Sequence, residues 1–271
     1  MGYDNVFSAP GLDFLIGNQD TSYARYAADK GWLEKNNNIN TPHTRTFGKK
    51  IGVKATVEPF RDLRIDLNMN STFTENYSSF FRYIEDIDDW ADQSGVSRMT
   101  YTTNISMFRT AFIADDKQTF NSTIIEDFYT ALPVVSGRLG SDESQSVGSF
   151  GGYADGFGSQ SSEVIIPAFI AAYSGKSANS ISTNPTKQGL KPTWRVSYDG
   201  LSKLAIFSKW FRSINITHGY QAAYSTNYTS NLQAKDNSGA RVRDENNNFI
   251  PLNQIASINL TESFSPLIKL D

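Results

Sequence analysis

The chain has 271 residues, 39% hydrophobic and 13% aromatic, with a formal net charge of −3, no cysteine and a mean hydropathy of −0.41. Scattered Lys and Arg leave no basic footprint for nucleic acid, and the missing thiols remove disulfides, thiolate metal ligands and Cys nucleophiles. A membrane-spanning helix needs about 20 apolar residues in a row, and the best run, Val164 to Tyr173, contains Pro167. A transmembrane barrel stays compatible with these averages, because its strands show lipid only every second residue.

Residues 1–20 mix Gly, Asn, Asp and Pro and read as loop, and Met1-Gly2-Tyr3-Asp4 has neither the basic flank nor the apolar core of a signal peptide. The expectation is a protein that is not exported, or an internal piece of a longer one. Thr21 to Leu33 predicts a short helix capped by Asp20 or Thr21. Asn36, Asn37, Asn38, Asn40 and Pro42 then forbid regular structure until a strand begins near Thr44.

The strongest pattern runs from Ile51 to Met69. Ile51, Val53, Ala55 and Val57 alternate with Gly52, Lys54, Thr56 and Glu58; after Pro59-Phe60-Arg61-Asp62, Leu63, Ile65, Leu67 and Met69 alternate with Arg64, Asp66, Asn68 and Asn70. Period two on both sides of a tight turn predicts a β-hairpin with one apolar and one charged face. The second strand continues through Phe73, Tyr77 and Phe81, beyond the ~9–11 residues of a membrane crossing. Phe80, Phe81 and Tyr83 then fit either an interfacial aromatic girdle or the end of a long soluble strand.

Glu85, Asp86, Asp88, Asp89 and Asp92 surround Trp90 and read as a solvated acidic loop, since the calcium-loop pattern is absent. A third strand is expected from Met99 to Ile113, with Arg109 violating its apolar face. From Ala114 to Pro192 the period changes. Helices are expected at Ile124–Leu132 and Val164–Tyr173, the second capped by Ser161 or Ser162, with a flexible Gly/Ser-rich tract between Ser136 and Ser162. Those glycines do not form a phosphate-binding motif.

Strands return with Trp194, Val196 and Tyr198, break at Gly200-Leu201-Ser202-Lys203, and resume in a long run carrying Ile214, Ile216, His218, Tyr220, Ala222, Tyr224 and Tyr228 on one face. Asn231 to Asn248 reads as a long polar loop before a last strand holding Ile258 and Leu260. Glu262-Ser263-Phe264-Ser265-Pro266-Leu267 matches Glu58-Pro59-Phe60-Arg61-Asp62-Leu63 at Glu, Phe and Leu, which suggests a repeated hairpin corner. With both corners on one side the crossings have the wrong parity, so one crossing is hidden in the insert or one strand does not cross. The organisation expected is a lead-in (1–43), strands with an acidic loop (44–113), a partly helical insert (114–192), and strands with a polar loop (193–271).

Little points to catalysis. The two histidines, His43 and His218, lack a nucleophile elbow that would serve a triad, and Glu58, Asp62, Asp66 and Glu75 show no spacing that pairs them for glycoside hydrolysis. The sequons at Asn70, Asn104 and Asn215 follow from composition. No catalytic, cofactor-binding or metal residue is singled out, and a non-enzymatic, mainly β, antiparallel, barrel-forming chain is expected.

Several blocks together resemble one family. Gly31-Trp32-Leu33 with Asn40 and Pro42, Glu58 to Ile65, Ile165 to Gly175, Trp194 to Lys203, His218-Gly219-Tyr220 and Glu262 to Leu267 look like the SprA/Sov family, the giant outer-membrane translocon of type IX secretion in Gram-negative bacteria. Ser263 stands where the first turn has proline. The resemblance implies a C-terminal portion of a single-chain barrel of about 36 strands, cut at both ends. It further implies a gated pore for folded cargo carrying a sorting domain, with accessory plug and shuttle proteins and the rest of the parent barrel as partners. Lys54, Thr56, Arg64, Asp66 and Asn68 would line the hydrated wall, with the opposite face on the lipid bilayer. The alternatives are a soluble β-sandwich of adhesin type, with the apolar faces packed as a core, and a smaller plugged transporter barrel with a plug domain upstream.

Overall fold

In the computed structural model, residues 20, 22–36, 41–119 and 121–271 are described; the expected N-terminal loop (1–19), Thr21 and Asn37 to Asn40 lie outside them. The elements, in chain order, are helix α1 (Tyr23–Asp29) and strands β1 (His43–Phe60), β2 (Leu63–Ile84) and β3 (Asp89–Asn104). Then come helix α2 (Thr123–Asp142), the short strands β4 (Ser149–Phe150) and β5 (Tyr153–Ala154), and helix α3 (Ser162–Ser174). Strands β6 (Thr193–Tyr198), β7 (Ile216–Ser230), β8 (Asn253–Phe264) and β9 (Lys269–Leu270) complete the chain. All strands but β4 and β5 join one seven-stranded sheet. The chain divides into two compact units, residues 1–48 with 74–99 and residues 49–73 with 100–271.

Alternation sets β1 and β2 as expected, and in the two-residue turn Arg61–Asp62 between them Asp62 takes the left-handed region at φ 73. The acidic stretch departs from expectation. Only Glu85–Ile87 forms a turn of 3₁₀ helix, and β3 already starts at Asp89. Trp90 is buried and stacks on Phe81 with ring centroids 5.5 Å apart, while Asp89 pairs with Arg25 of α1 at 2.9 Å. Apolar burial of one indole outweighs the solvation of its neighbours. At the start of α1 the Asp20 Oδ1 accepts the Ser22 N–H at 3.0 Å.

The parity problem has a topological answer. The third strand ends at Asn104, not Ile113, and the chain leaves the sheet there and rejoins it at Thr193 in the same lane. β6 pairs with β2 from Leu63↔Tyr198 to Asn68↔Thr193 and with β7 from Tyr198↔Ile216 to Trp194↔Tyr220. One step further along β7, the Ala222 carbonyl accepts from Ile105 N at 3.2 Å. β3 and β6 are thus two halves of one sheet lane, with the insert spliced between them. Arg109 violates no strand pattern: it lies in the turn that follows and donates to Gly175 O at 3.2 Å.

The repeated corner is also corrected. β8 and β9 both pair with β7, Phe264 opposite Tyr220 and Lys269 opposite Thr217, so residues 265–268 form a bulge within one lane and not a hairpin. Gly219 permits it, since a Cβ there would collide with the Ser265 carbonyl. Ser265 N donates to Gly219 O, and Gly219 N donates to Pro266 O, both at 2.9 Å.

Helix α2 extends ten residues past the expected Leu132, to Asp142, through Pro133, which removes the first part of the Gly/Ser-rich tract from the loop reading. Ser161 stands at the N-cap of α3, but its hydroxyl accepts nothing from the first turn. Both helices pack against one face of the sheet. The core they share holds Val135, Val164, Ala168 and Ala171 from the helices and Tyr101, Tyr220, Ala222 and Tyr224 from the strands. The expected polar loop, 231–248, is pinned onto this insert. Phe249 is buried, Phe249 N donates to Gly156 O at 2.8 Å, and Arg243 meets Asp155 at 2.7 Å. Gly156, at φ +82 beneath the Phe249 ring, has no space for a side chain.

Candidate functional site

Period two assigns every sheet residue to one of two faces. On the first, Thr56 Oγ1 donates to Asp66 Oδ1 at 2.6 Å, and Arg64 pairs with the same carboxylate at 3.0 Å. Registers carry this face across the sheet through Ser197 and Arg195 of β6 to Thr217 and Gly219 of β7. Further along, Thr100 Oγ1 donates to Asn227 Oδ1 at 2.8 Å, and Asn227 Nδ2 donates to Ser257 Oγ at 3.1 Å. Asn68, Asn70, Thr102, Gln221, Ser225, Asn259 and Thr261 share it by alternation. The result is a predominantly polar wall of short hydroxyls and amides that carries the Arg64–Asp66 ion pair.

The opposite face is apolar and has two different environments. Tyr220, Ala222, Tyr224 and Tyr228 of β7 are buried, the first three beneath the insert, and Ile214 is also buried. This row, expected to look outward, is instead covered by protein. On β1 and the turn-proximal half of β2 the same face is bare or half-covered: Ile51, Val53 and Val57 are each over 40% exposed, and Ile65, Leu67 and Met69 are half-buried. Val53, Ile65 and Ile214 therefore do not meet in one sealed core. On β2 the row is Leu63, Ile65, Leu67, Met69, Ser71 and Phe73 before Glu75, apolar except at Ser71, and Phe73 already packs against the core under the insert. At ~3.3 Å per residue and a tilt of ~40°, that run covers roughly 25 Å of depth, the height of a barrel's lipid band.

Among the described residues β1 pairs only with β2, and β8 and β9 only with β7. Neither edge carries a further strand among the described residues, and one edge is the 18-residue β1.

The residues weighed for catalysis are dispersed. Asp62 is held by Lys203 and Asp66 by Arg64. Glu75 accepts from Ser97 at 2.7 Å. His43 begins β1, and His218 places Nδ1 2.5 Å from Leu267 O between Trp194 and Phe264, an anchored position beside the bulge. One carboxylate is built into the apolar side: Glu262 accepts from Tyr220 OH at 2.7 Å, and that hydroxyl accepts from Met107 N at 2.8 Å. Loop charges follow their partners. The Arg243 guanidinium holds the Asp155 carboxyl below the usual carboxylate range, and Ser238 with nearby backbone N–H groups does the same for Asp236.

One feature escaped the sequence reading. Between β6 and β7, Leu204, Ile206, Trp210 and Phe211 are exposed on a loop that also carries Lys203, Lys209 and Arg212. Its signal was available as large apolar residues interleaved with bases and no acid from Gly200 to Ala234. Compared with known families and curated proteins, the sequence matches no family model and no individual protein.

Proposed function

We propose that this chain is a wall segment of a large outer-membrane β-barrel, of the kind that conducts folded cargo in type IX secretion, with a structural and not a catalytic role. The observation that carries the reading is the pairing of a predominantly polar sheet face with an apolar row that is exposed on β1 and half-buried on β2, in a sheet that carries no further strand at either edge among the described residues. Edges of this length invite further strands, and a barrel supplies them on both sides. The polar face then borders water, and its mixed charges and short side chains give passing protein little to adhere to. The insert stands above the band and covers the part of the apolar face that lipid does not reach. Secreted cargo, plug and shuttle proteins and the remaining barrel strands are the partners this reading requires.

Fractionation tests it. In cells of the source bacterium the protein carrying this segment stays with the outer membrane after carbonate washing, and its depletion leaves cargo with sorting domains in the periplasm. Recovery in the soluble fraction, with secretion unchanged, contradicts the proposal. A second reading, a water-soluble binding module, draws support from the burial of the β7 aromatic row under α2 and α3. It predicts a detergent-free monomer in which Val53 is covered.

A further inference from the structure

The loop joining β6 to β7 carries four exposed large apolar side chains within nine residues. Ile206 is 77% and Trp210 83% exposed, with Leu204 and Phe211 about half exposed. Such side chains on a solvated loop lose free energy to water unless something covers them. The segment is folded into successive turns, Phe207 N donating to Leu204 O and Phe211 N to Phe207 O, both at 2.9 Å. Lys203, Lys209 and Arg212 are exposed among these apolar side chains.

Its position is fixed by the tight turn. Asp199 N donates to Asp62 O at 3.1 Å and Lys203 pairs with Asp62, so the loop lies at the Pro59–Leu63 end of the apolar band. Leu267, Ile268 and Leu270, exposed on the neighbouring bulge and β9, extend the apolar surface at the same end. The loop itself mixes aromatic and aliphatic side chains with Lys209 and Arg212 and has no acid from 200 to 212, while Lys203 is engaged with Asp62; that mixture suits the boundary between acyl chains and phosphate. Charge selects anionic headgroups within that boundary.

We infer that the Leu204–Arg212 loop lies in the headgroup layer of the leaflet on the tight-turn side, with Ile206 and Trp210 among the upper acyl carbons and Lys209 and Arg212 on anionic phospholipid phosphates. This rests on the membrane-wall reading and adds a lipid class to it. The loop fixes the depth of the wall and favours anionic phospholipid beside it.

The test uses the complete barrel in proteoliposomes, with one cysteine introduced into the cysteine-free segment and labelled with a fluorophore. Ile206→Cys is compared with Val53→Cys in the band and Ser238→Cys in a polar loop, using nitroxide-labelled lipids as quencher. The inference expects at least two-fold quenching at 206 and 53 and none at 238. It also expects quenching at 206 to fall by half or more with Lys209→Glu plus Arg212→Glu, only where anionic lipid is present. Quenching at 53 without quenching at 206 overturns the loop assignment and leaves the wall; a label at 206 shielded from both lipid quencher and iodide points to a protein partner and also overturns it. No quenching at 53 overturns the wall itself. Equal quenching at 206 with and without anionic lipid overturns the headgroup preference.

Discussion

Lys191 N donates to Asn104 O at 3.0 Å, which closes the base of the insert at the point where one sheet lane stops and restarts. Asn104 secures that junction with its side chain too, accepting from Asn70 N at 2.6 Å and donating to Ala222 O at 3.4 Å. Asn104→Ala leaves the Asn70 N–H without its acceptor in a half-buried position. A loss of about 1–3 kcal/mol is expected, read as a lower denaturant midpoint at unchanged slope. An unchanged midpoint contradicts the junction's role.

Two glycines of α2 make opposite predictions. Gly137 has open space where a Cβ would go, whereas a Cβ on Gly140 collides with Ala154 of β5. Gly137→Ala is expected to stabilise by up to ~1 kcal/mol, the usual helical gain. Gly140→Ala is expected to lose about 1–3 kcal/mol, because β5 must be pushed away. Thermal unfolding of the two variants side by side checks both signs.

Tyr220→Phe removes a hydroxyl that bridges Met107 N and Glu262. The ring remains packed between Trp194 and Phe264, so the core volume is conserved and only the bridge is lost. The expected cost is about 1–3 kcal/mol. Amide exchange at Met107 should quicken while exchange across β6 stays unchanged.

Asp155 gives a pH dependence with a definite sign. Its carboxyl is held low by Arg243, so the contact contributes stability above the ordinary aspartate range and loses it as pH falls from about 4 toward the lowered folded value. Acid titration should therefore release the 231–250 segment from the insert. In Asp155→Asn that acid-induced release should be reduced, at the expense of a looser segment at neutral pH. Proteolysis at the exposed Asp236–Ala240 turn as a function of pH reports it.

Strand alternation was legible wherever local pattern and burial agree, as in Ile51 to Met69 and Tyr220 to Tyr228. It failed where long-range pairing decides. Nothing in Tyr101 to Asn104 or Trp194 to Tyr198 announces that they share a lane, because each half alternates correctly by itself. The Glu-x-Phe match at Glu262 looked like a corner since the bulge uses a similar break in alternation. The covered β7 row was read correctly as apolar and misassigned in partner: residue type reports burial, not whether helix or lipid supplies it. The polar face was fully legible, because each of its strands carries it independently.

The sheet's edges bear on what the isolated segment can do. Five lanes cannot enclose a passage, and an edge strand as long as β1 offers a template for association. The chain alone is expected to give no stepwise conductance in planar bilayers and to aggregate without detergent. Discrete channel openings from the purified chain would contradict this.

The central claim is that one face of this sheet meets water while the other meets lipid within the same rows. Single cysteines at Lys54, Asn68 and Val53, in the barrel in its membrane, test it most directly. The account predicts that a membrane-impermeant maleimide modifies positions 54 and 68 within minutes and leaves 53 unmodified until detergent is added. Equal modification of all three, or protection of 54 and 68 with 53 reactive, would contradict it.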